Sequence, residues 1–174
     1  MGSPISYSSI AQDVAISPNT VKKYLQILEA LYIIFRVTPY SRNIARSLLK
    51  EPKIYFFDSG LVKGDEGIKF ENMVATCLLK ALHAQIDTEA KDVSLHYLRT
   101  KEQHEVDFAI VEKDQVIEIL EVKWANHTLG KGLCYFSNKY NIPGVQVVKN
   151  LKRERKQQGI VLRDGMAFLQ ALNL

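Results

Sequence analysis

Apolar and polar positions change period several times along the chain, and each change predicts an element. Residues 8–14 fit a short helix. Ala15-Ile16 then runs into Ser17-Pro18, an N-cap residue followed by proline at the first helical position, so a second helix starts there. Val21, Leu25 and Leu28 recur at i, i+4 and i+7, which leaves Asn19, Thr20, Lys22, Lys23 and Gln26 on the outward face. Residues 31–37 and 54–57 are β-prone and flank a basic loop at 41–50 that carries Arg42, Arg46 and Lys50. Helix, turn, helix and wing hairpin together predict a winged helix-turn-helix over residues 1–62. Met1-Gly2-Ser3 reads as an expression scar and is set aside.

Asp58-Ser59-Gly60 and the glycines at 64 and 67 punctuate the chain, and the second domain, residues 63–174, is expected to begin there. Phe70, Val74, Cys77, Leu78 and Ala81 repeat at helical spacing across 68–82. Strand signals follow at 94–99, 105–111 and 116–123, the last two joined across Glu112-Lys113-Asp114-Gln115 as a hairpin. A helix at 130–140 leads through Pro143-Gly144 to a strand at 145–148, and a short strand at 160–162 and a helix at 166–172 close the chain. The order from 68 onward is helix, three strands, helix, strand.

Ionisable residues sit inside the hairpin where a core strand should be apolar. Strand side chains alternate between faces, so Glu121 and Lys123 point one way and Val122 and Trp124 the other, with Asp107 able to lie opposite them on the neighbouring strand. Two carboxylates and a lysine on one patch are what a Mg²⁺ site that cleaves phosphodiesters requires. Glu71 shares the inward side of its helix with Val74 and Leu78. An unpaired carboxylate there is costly. A metal ion would relieve that cost, and a partly exposed Glu favoured by the helix dipole is the plainer account.

Composition narrows the setting. The chain has 174 residues, 47% of them hydrophobic, enough for one sizeable core or two small domains. Its longest apolar run, at 30–35, falls far short of the roughly 20 residues that cross a bilayer. No membrane partner and a cytoplasmic setting are expected, the latter because Cys77 and Cys134 stand apart without zinc-ligand spacing. His83, His96, His104 and His127 match no metal or triad spacing. A net charge of +4 is mild, but basic residues cluster at Lys149, Lys152, Arg153, Arg155 and Lys156 and across the N-terminal third, Lys53 included.

Glu71, Asp107, Glu121 and Lys123, in that element order, resemble the signature of the PD-(D/E)xK nuclease superfamily, although Val106 stands where its proline would be. The resemblance implies a restriction-endonuclease-like αβββαβ core, with Glu71, Asp107 and Glu121 as ligands of Mg²⁺ or Mn²⁺. It also implies that these three and Lys123 form the catalytic set, Lys123 orienting the attacking water and offsetting charge on the phosphate. The run from Tyr7 to about Leu172 looks like the C-terminal region of AAA+-type ATPases of the archaeal ATPase-like family. Ser17-Pro18-Asn19-Thr20-Val21, the stretch from Pro52 to Leu61 and Phe70-Glu71-Asn72 carry that likeness together with the strand motifs.

No Gly-x-x-x-x-Gly-Lys-[Ser/Thr] loop exists in the chain, so no ATPase activity is expected of it, and an ATPase domain of a longer parent is an expected partner. Two functional readings remain open. One is a Mg-dependent endonuclease guided to DNA by the winged helix, with Asn19, Thr20, Lys22, Lys23, Gln26, Arg42 and Arg46 contacting nucleic acid. The other is a non-catalytic nuclease-like fold that binds DNA or a protein, with Glu118 and Glu121 merely paired to Lys123 or Lys113 as surface ions.

Overall fold

The computed structural model describes residues 4–41, 51–125 and 128–172. Arg42, Arg46, Lys50 and His127 lie outside the described residues. Two helices, α1 (Tyr7–Asp13) and α2 (Pro18–Ala30), open the chain. Ala15 turns between them at φ 53°. Ser17 caps α2 by accepting the Thr20 backbone N–H at 3.1 Å. Val21 is buried and Leu25 and Leu28 are half-buried, as their spacing predicts.

Strands β1 (Ile34–Pro39) and β2 (Lys53–Phe56) pair antiparallel. After a short turn at Ser59–Leu61 come α3 (Glu66–Glu89), β3 (Val93–Arg99), β4 (Glu105–Glu112), β5 (Gln115–Lys123), α4 (Lys131–Tyr140) and β6 (Gly144–Val148). The chain then adds β7 (Arg155–Gln157), β8 (Ile160–Asp164) and α5 (Gly165–Gln170). Helix α3 outruns the expected end at Leu82 because its last turns are mostly exposed and polar and carry no apolar period. The hairpin between β4 and β5 turns on Lys113 and Asp114, at φ 46° and 60°, the left-handed pair that a two-residue turn needs to match strand twist.

The described strands form one mixed sheet in the order β2-β1-β3-β4-β5-β6-β8-β7. The β1–β2 hairpin therefore belongs to this sheet. Strand β1 runs parallel to β3 through Thr38↔His96 and Pro39↔Tyr97, which continues the sheet across the expected 62/63 boundary. Phe70, Val74, Ala75 and Leu78 of α3, with Phe168 of α5, cover one face, packing on Phe35, Tyr55, Phe108, Leu120 and Val122. Leu133 and Phe136 of α4 cover the other, against Val106, Ala109, Ile119 and Ile160. Each such side chain contributes roughly 1.5–3 kcal/mol on burial, so these two layers fix the sheet between its helices.

The outer edge strand β7 was not expected. Arg155, Lys156 and Gln157 are all exposed, and charge on an edge discourages pairing with another chain. Among the described residues no helix is long and apolar enough to cross a membrane. Cys77 and Cys134 are free thiols.

Candidate functional site

The regular β4–β5 ladder stops at Phe108↔Leu120, and the next position on β4 is Asp107, across from Glu121. Asp107 Oδ2 accepts the Val122 backbone N–H at 2.9 Å, so a side chain replaces the ladder where the strands part. A bulge in β4 makes this possible. The β3–β4 register shifts between His96 and Leu98, and Val106 and Ala109, three apart, both pack under α4 while Phe108 packs under α3. The extra residue turns Asp107 out of strict alternation.

Glu121 and Lys123 lie on the α4 side, opposite in facing to Leu120 and Val122. Lys123 Nζ meets Glu121 Oε1 at 2.7 Å. They are not surface ions: Glu121 is only 8% exposed, and a Cβ on Gly130, at the start of α4, would come within 3.0 Å of its carboxylate. Among the described residues Glu121 Oε2 is buried without a hydrogen-bond partner, a state that costs about 1–3 kcal/mol and more for a charged group. Burial raises the pKa of Glu118, against the opposing charge of Arg163.

Glu71 sits half-buried on α3 and accepts the Tyr55 hydroxyl hydrogen bond at 2.7 Å. Its neighbour Asn72 is fully buried and holds β2 in place: its Oδ1 accepts the Phe56 N–H at 2.8 Å and its Nδ2 donates to the Phe56 carbonyl at 2.9 Å.

Lys53, one of the basic residues of the N-terminal third, is not solvated. It is fully buried, pairs with Glu105 at 2.9 Å and with Asp107 Oδ1 at 3.4 Å, and lies 5.4 Å from the Tyr97 ring centre. Its strand alternation with Tyr55 was the available signal, since both must share a face and Tyr55 belongs to the core.

Electrostatics ties these groups together. Burial, and next the charge of Asp107, push the Glu71 carboxyl up to about 7, and the same two causes in the same order push Glu121 to about 7. Burial works against the Lys53 ammonium, but Asp107, Glu71 and Glu105 outweigh it and hold its pKa above the ordinary value. Lys123 is raised in the same way, burial opposing and Glu121 leading the groups that favour its charge. Asp107 is thus the hinge of the cluster, felt by Glu71 on the α3 side and by Glu121 on the α4 side. Glu71 and Glu121 are linked through it.

The centre thus holds hard oxygen atoms, one of them buried and unpartnered, on carboxyls that resist ionisation. Among the described residues, however, no three Asp, Glu, His or Cys side chains stand together so that they could hold a metal ion.

On α2, Asn19, Lys22, Lys23 and Gln26 are exposed, while Thr20 is partly covered and tied to Ser17 by a 2.8 Å hydroxyl contact. Interleaved with them are Tyr24, Ile27 and Leu31, each more than half exposed. Arg42 and Arg46, the other expected nucleic-acid contacts, lie outside the described residues.

Fold and cluster define a mixed α/β protein with a buried acidic centre where two strands of its sheet part. Residues 66–164 match the family model described as a domain of unknown function, DUF4143, and the chain belongs to that family, whose domain is often associated with AAA ATPases. Residues 1–69 match a second model, a domain of unknown function designated DUF8612. No curated protein and no solved structure gives a significant match.

Proposed function

We propose that the chain is a nuclease-like module of an ATPase system, a winged helix-turn-helix leading into a restriction-endonuclease-like core, that cleaves DNA phosphodiesters with Mg²⁺ or Mn²⁺. The observation that carries this reading is the convergence of Asp107, Glu121 and Lys123 at the parted end of β4 and β5, with Glu71 coupled to them through Asp107. Asp107, Glu121 and Glu71 would supply the oxygen ligands. A bound divalent ion supplies Lewis acidity toward a phosphoryl oxygen and a more acidic water. Lys123 stands beside Glu121 with a third of its side chain exposed, so its ammonium can donate to a scissile phosphate from the solvent side. Gly130 leaves room for the Glu121 carboxylate, and Asp107 bridges the two strands through the Val122 N–H. The exposed Asn19, Lys22, Lys23 and Gln26 are suited to duplex phosphates and base edges.

One observation favours a second reading for the helical pair. Tyr24, Ile27 and Leu31 form an exposed stripe at helical spacing on α2, which suits a protein surface, such as an ATPase domain, better than a phosphate backbone. In that case the module docks through α2 and contacts nucleic acid elsewhere.

Purified protein with linear, circular and single-stranded DNA in Mg²⁺ or Mn²⁺ tests the activity. Cleavage that is abolished by EDTA and by Asp107→Ala is expected; cleavage that survives Asp107→Ala overturns the assignment.

A further inference from the structure

Lys149, Lys152, Arg153, Arg155 and Lys156 crowd into eight residues after β6, and Glu154 is the sole acid among them. That acid is already committed, because Glu154 Oε1 pairs with Arg163 at 3.5 Å and accepts the Asp164 N–H at 3.1 Å. Among the described residues Lys149, Lys152, Arg153 and Lys156 enter no salt bridge, and all but Lys149 are exposed. The run is nevertheless anchored. Leu151 is buried against Val148 and Leu162, the Lys149 N–H donates to the Lys123 carbonyl at 3.0 Å, and β7 returns to β8 through a left-handed turn at Gln158 and Gly159, φ 52° and 80°. Cations fixed beforehand lose less freedom on binding than cations on a loose tail.

Guarding the sheet edge accounts for only part of this charge. Arg155 and Lys156 lie on β7 itself, whereas Lys149, Lys152 and Arg153 precede it, at the end of the sheet where the parallel strands β5, β6 and β8 finish. Lys123 closes β5 at that same end. From β5 to β7 the sheet covers three strand spacings, roughly 14 Å, enough to face several backbone phosphates. Lys149 Nζ lies 5.9 Å from the Phe70 ring centre, and Trp124, the chain's single tryptophan and 37% exposed, meets the same ring edge-on at 6.2 Å.

The chemistry of the run selects its partner. A protein interface has an apolar centre inside a polar rim, and among the described residues no large exposed hydrophobic falls within 149–157. Charge of one sign without an apolar centre suits a phosphate backbone, where affinity comes from releasing condensed counterions. We propose that residues 149–156 form a nucleic-acid surface separate from α2, a basic track at the ends of β5, β6 and β8 that holds the phosphates of duplex DNA and leads them to Lys123. This deepens the nucleic-acid part of the proposed function, on which it rests, and requires neither a metal ion nor cleavage.

Fluorescence anisotropy of a short labelled DNA duplex, titrated with the protein in EDTA at several NaCl concentrations, tests the track. Replacing Lys152→Gln together with Arg153→Gln is expected to weaken binding at least about tenfold and to make the slope of log affinity against log salt shallower by about two. The pair Lys22→Gln and Lys23→Gln on α2 should cost less. Undiminished binding by the Lys152/Arg153 variant, beside a loss in the α2 variant, overturns the inference and leaves nucleic-acid contact with the helix. No binding by wild type overturns the track and the nucleic-acid reading together. Poly-glutamate that displaces the duplex as well as unlabelled DNA does overturns it in favour of an acidic protein. The wild-type chain gives a readout that needs no variant: Trp124 emission should change with DNA along the anisotropy isotherm, and emission that stays fixed through saturation overturns a path that reaches the end of β5.

Discussion

Asp107 Oδ2 accepts the backbone N–H of Val122 at 2.9 Å, and this one contact both ends the β4–β5 ladder and lines up the acidic centre. Asp107→Ala leaves that N–H unpaired and removes one of the two carboxylates that meet Lys53. A loss of about 2–4 kcal/mol in urea unfolding is expected. Asp107→Asn keeps an acceptor oxygen and should lose less stability, yet should bind Mn²⁺ as poorly as the alanine variant. Equal stability of the two variants would show that the Val122 contact carries no weight.

Asn72 substitutes for a neighbouring strand at the edge of β2 by pairing with both backbone groups of Phe56. It donates further to Ser59 Oγ at 3.2 Å. Asn72→Ala orphans the Phe56 N–H, while the Phe56 carbonyl keeps the Thr76 hydroxyl at 3.2 Å, so unfolding free energy should fall by about 1–3 kcal/mol. Hydrogen exchange at the Phe56 amide should accelerate more than exchange in β6, and a uniform acceleration would argue against a local role.

The pH dependence of stability follows from Glu71 and Glu121, whose folded values near 7 stand above the ordinary 4.5. A raised carboxyl means the folded chain holds protons that the unfolded chain has released. The stabilisation is fully present below about pH 4.5, declines through the interval up to about 7, and is absent above it. The ceiling for one such carboxyl is about 3 kcal/mol, and because both respond to Asp107 we expect about 1–3 kcal/mol for each. In EDTA, the difference in unfolding free energy between pH 5 and pH 8 should therefore be smaller for Glu121→Gln than for wild type. An unchanged difference would place the Glu121 carboxyl at its ordinary value.

Gly132 brings α4 against the start of β4. A Cβ there would stand 1.8 Å from the Glu105 carbonyl oxygen, a backbone atom that cannot swing aside. Gly132→Ala must lift the helix or push back the strand, at a cost of about 3 kcal/mol or more. Thermal unfolding of Gly132→Ala beside wild type checks this, and an unchanged melting temperature would show that the helix moves aside without cost.

How much of this was legible depended on whether a local rule operated. Ser17-Pro18 marked the start of α2, alternation marked β4 and β5, and helical spacing marked the first half of α3, because cap geometry, pleat and core periodicity act over a few residues. The bulge was hidden: Val106 and Ala109 are both small and apolar, and nothing in their order says that Asp107 departs from alternation between them. Lys53 was misread because a lysine in a basic stretch looks like a solvated cation until its strand is buried. Strand β7 was missed for the opposite reason, since an edge defended by Arg155 and Lys156 has the composition of a loop. Placement of β1 beside β3 depends on contacts between residues 58 positions apart, such as Thr38 and His96, beyond the reach of any short pattern.

That β1–β3 junction also constrains inheritance. Tyr40 N–H donates to the Tyr97 carbonyl at 2.8 Å, and Tyr55 roofs Phe108 with ring centres 5.6 Å apart. A polypeptide beginning after the hairpin would bare β3 as a raw, sticky border, uncover Phe108, and strand Glu105 and Asp107 without their ammonium. The two stretches matched by different family models have thus become mutual prostheses, and shuffling one onto a foreign companion would yield an insoluble orphan unless the newcomer brought its own strand and its own lysine.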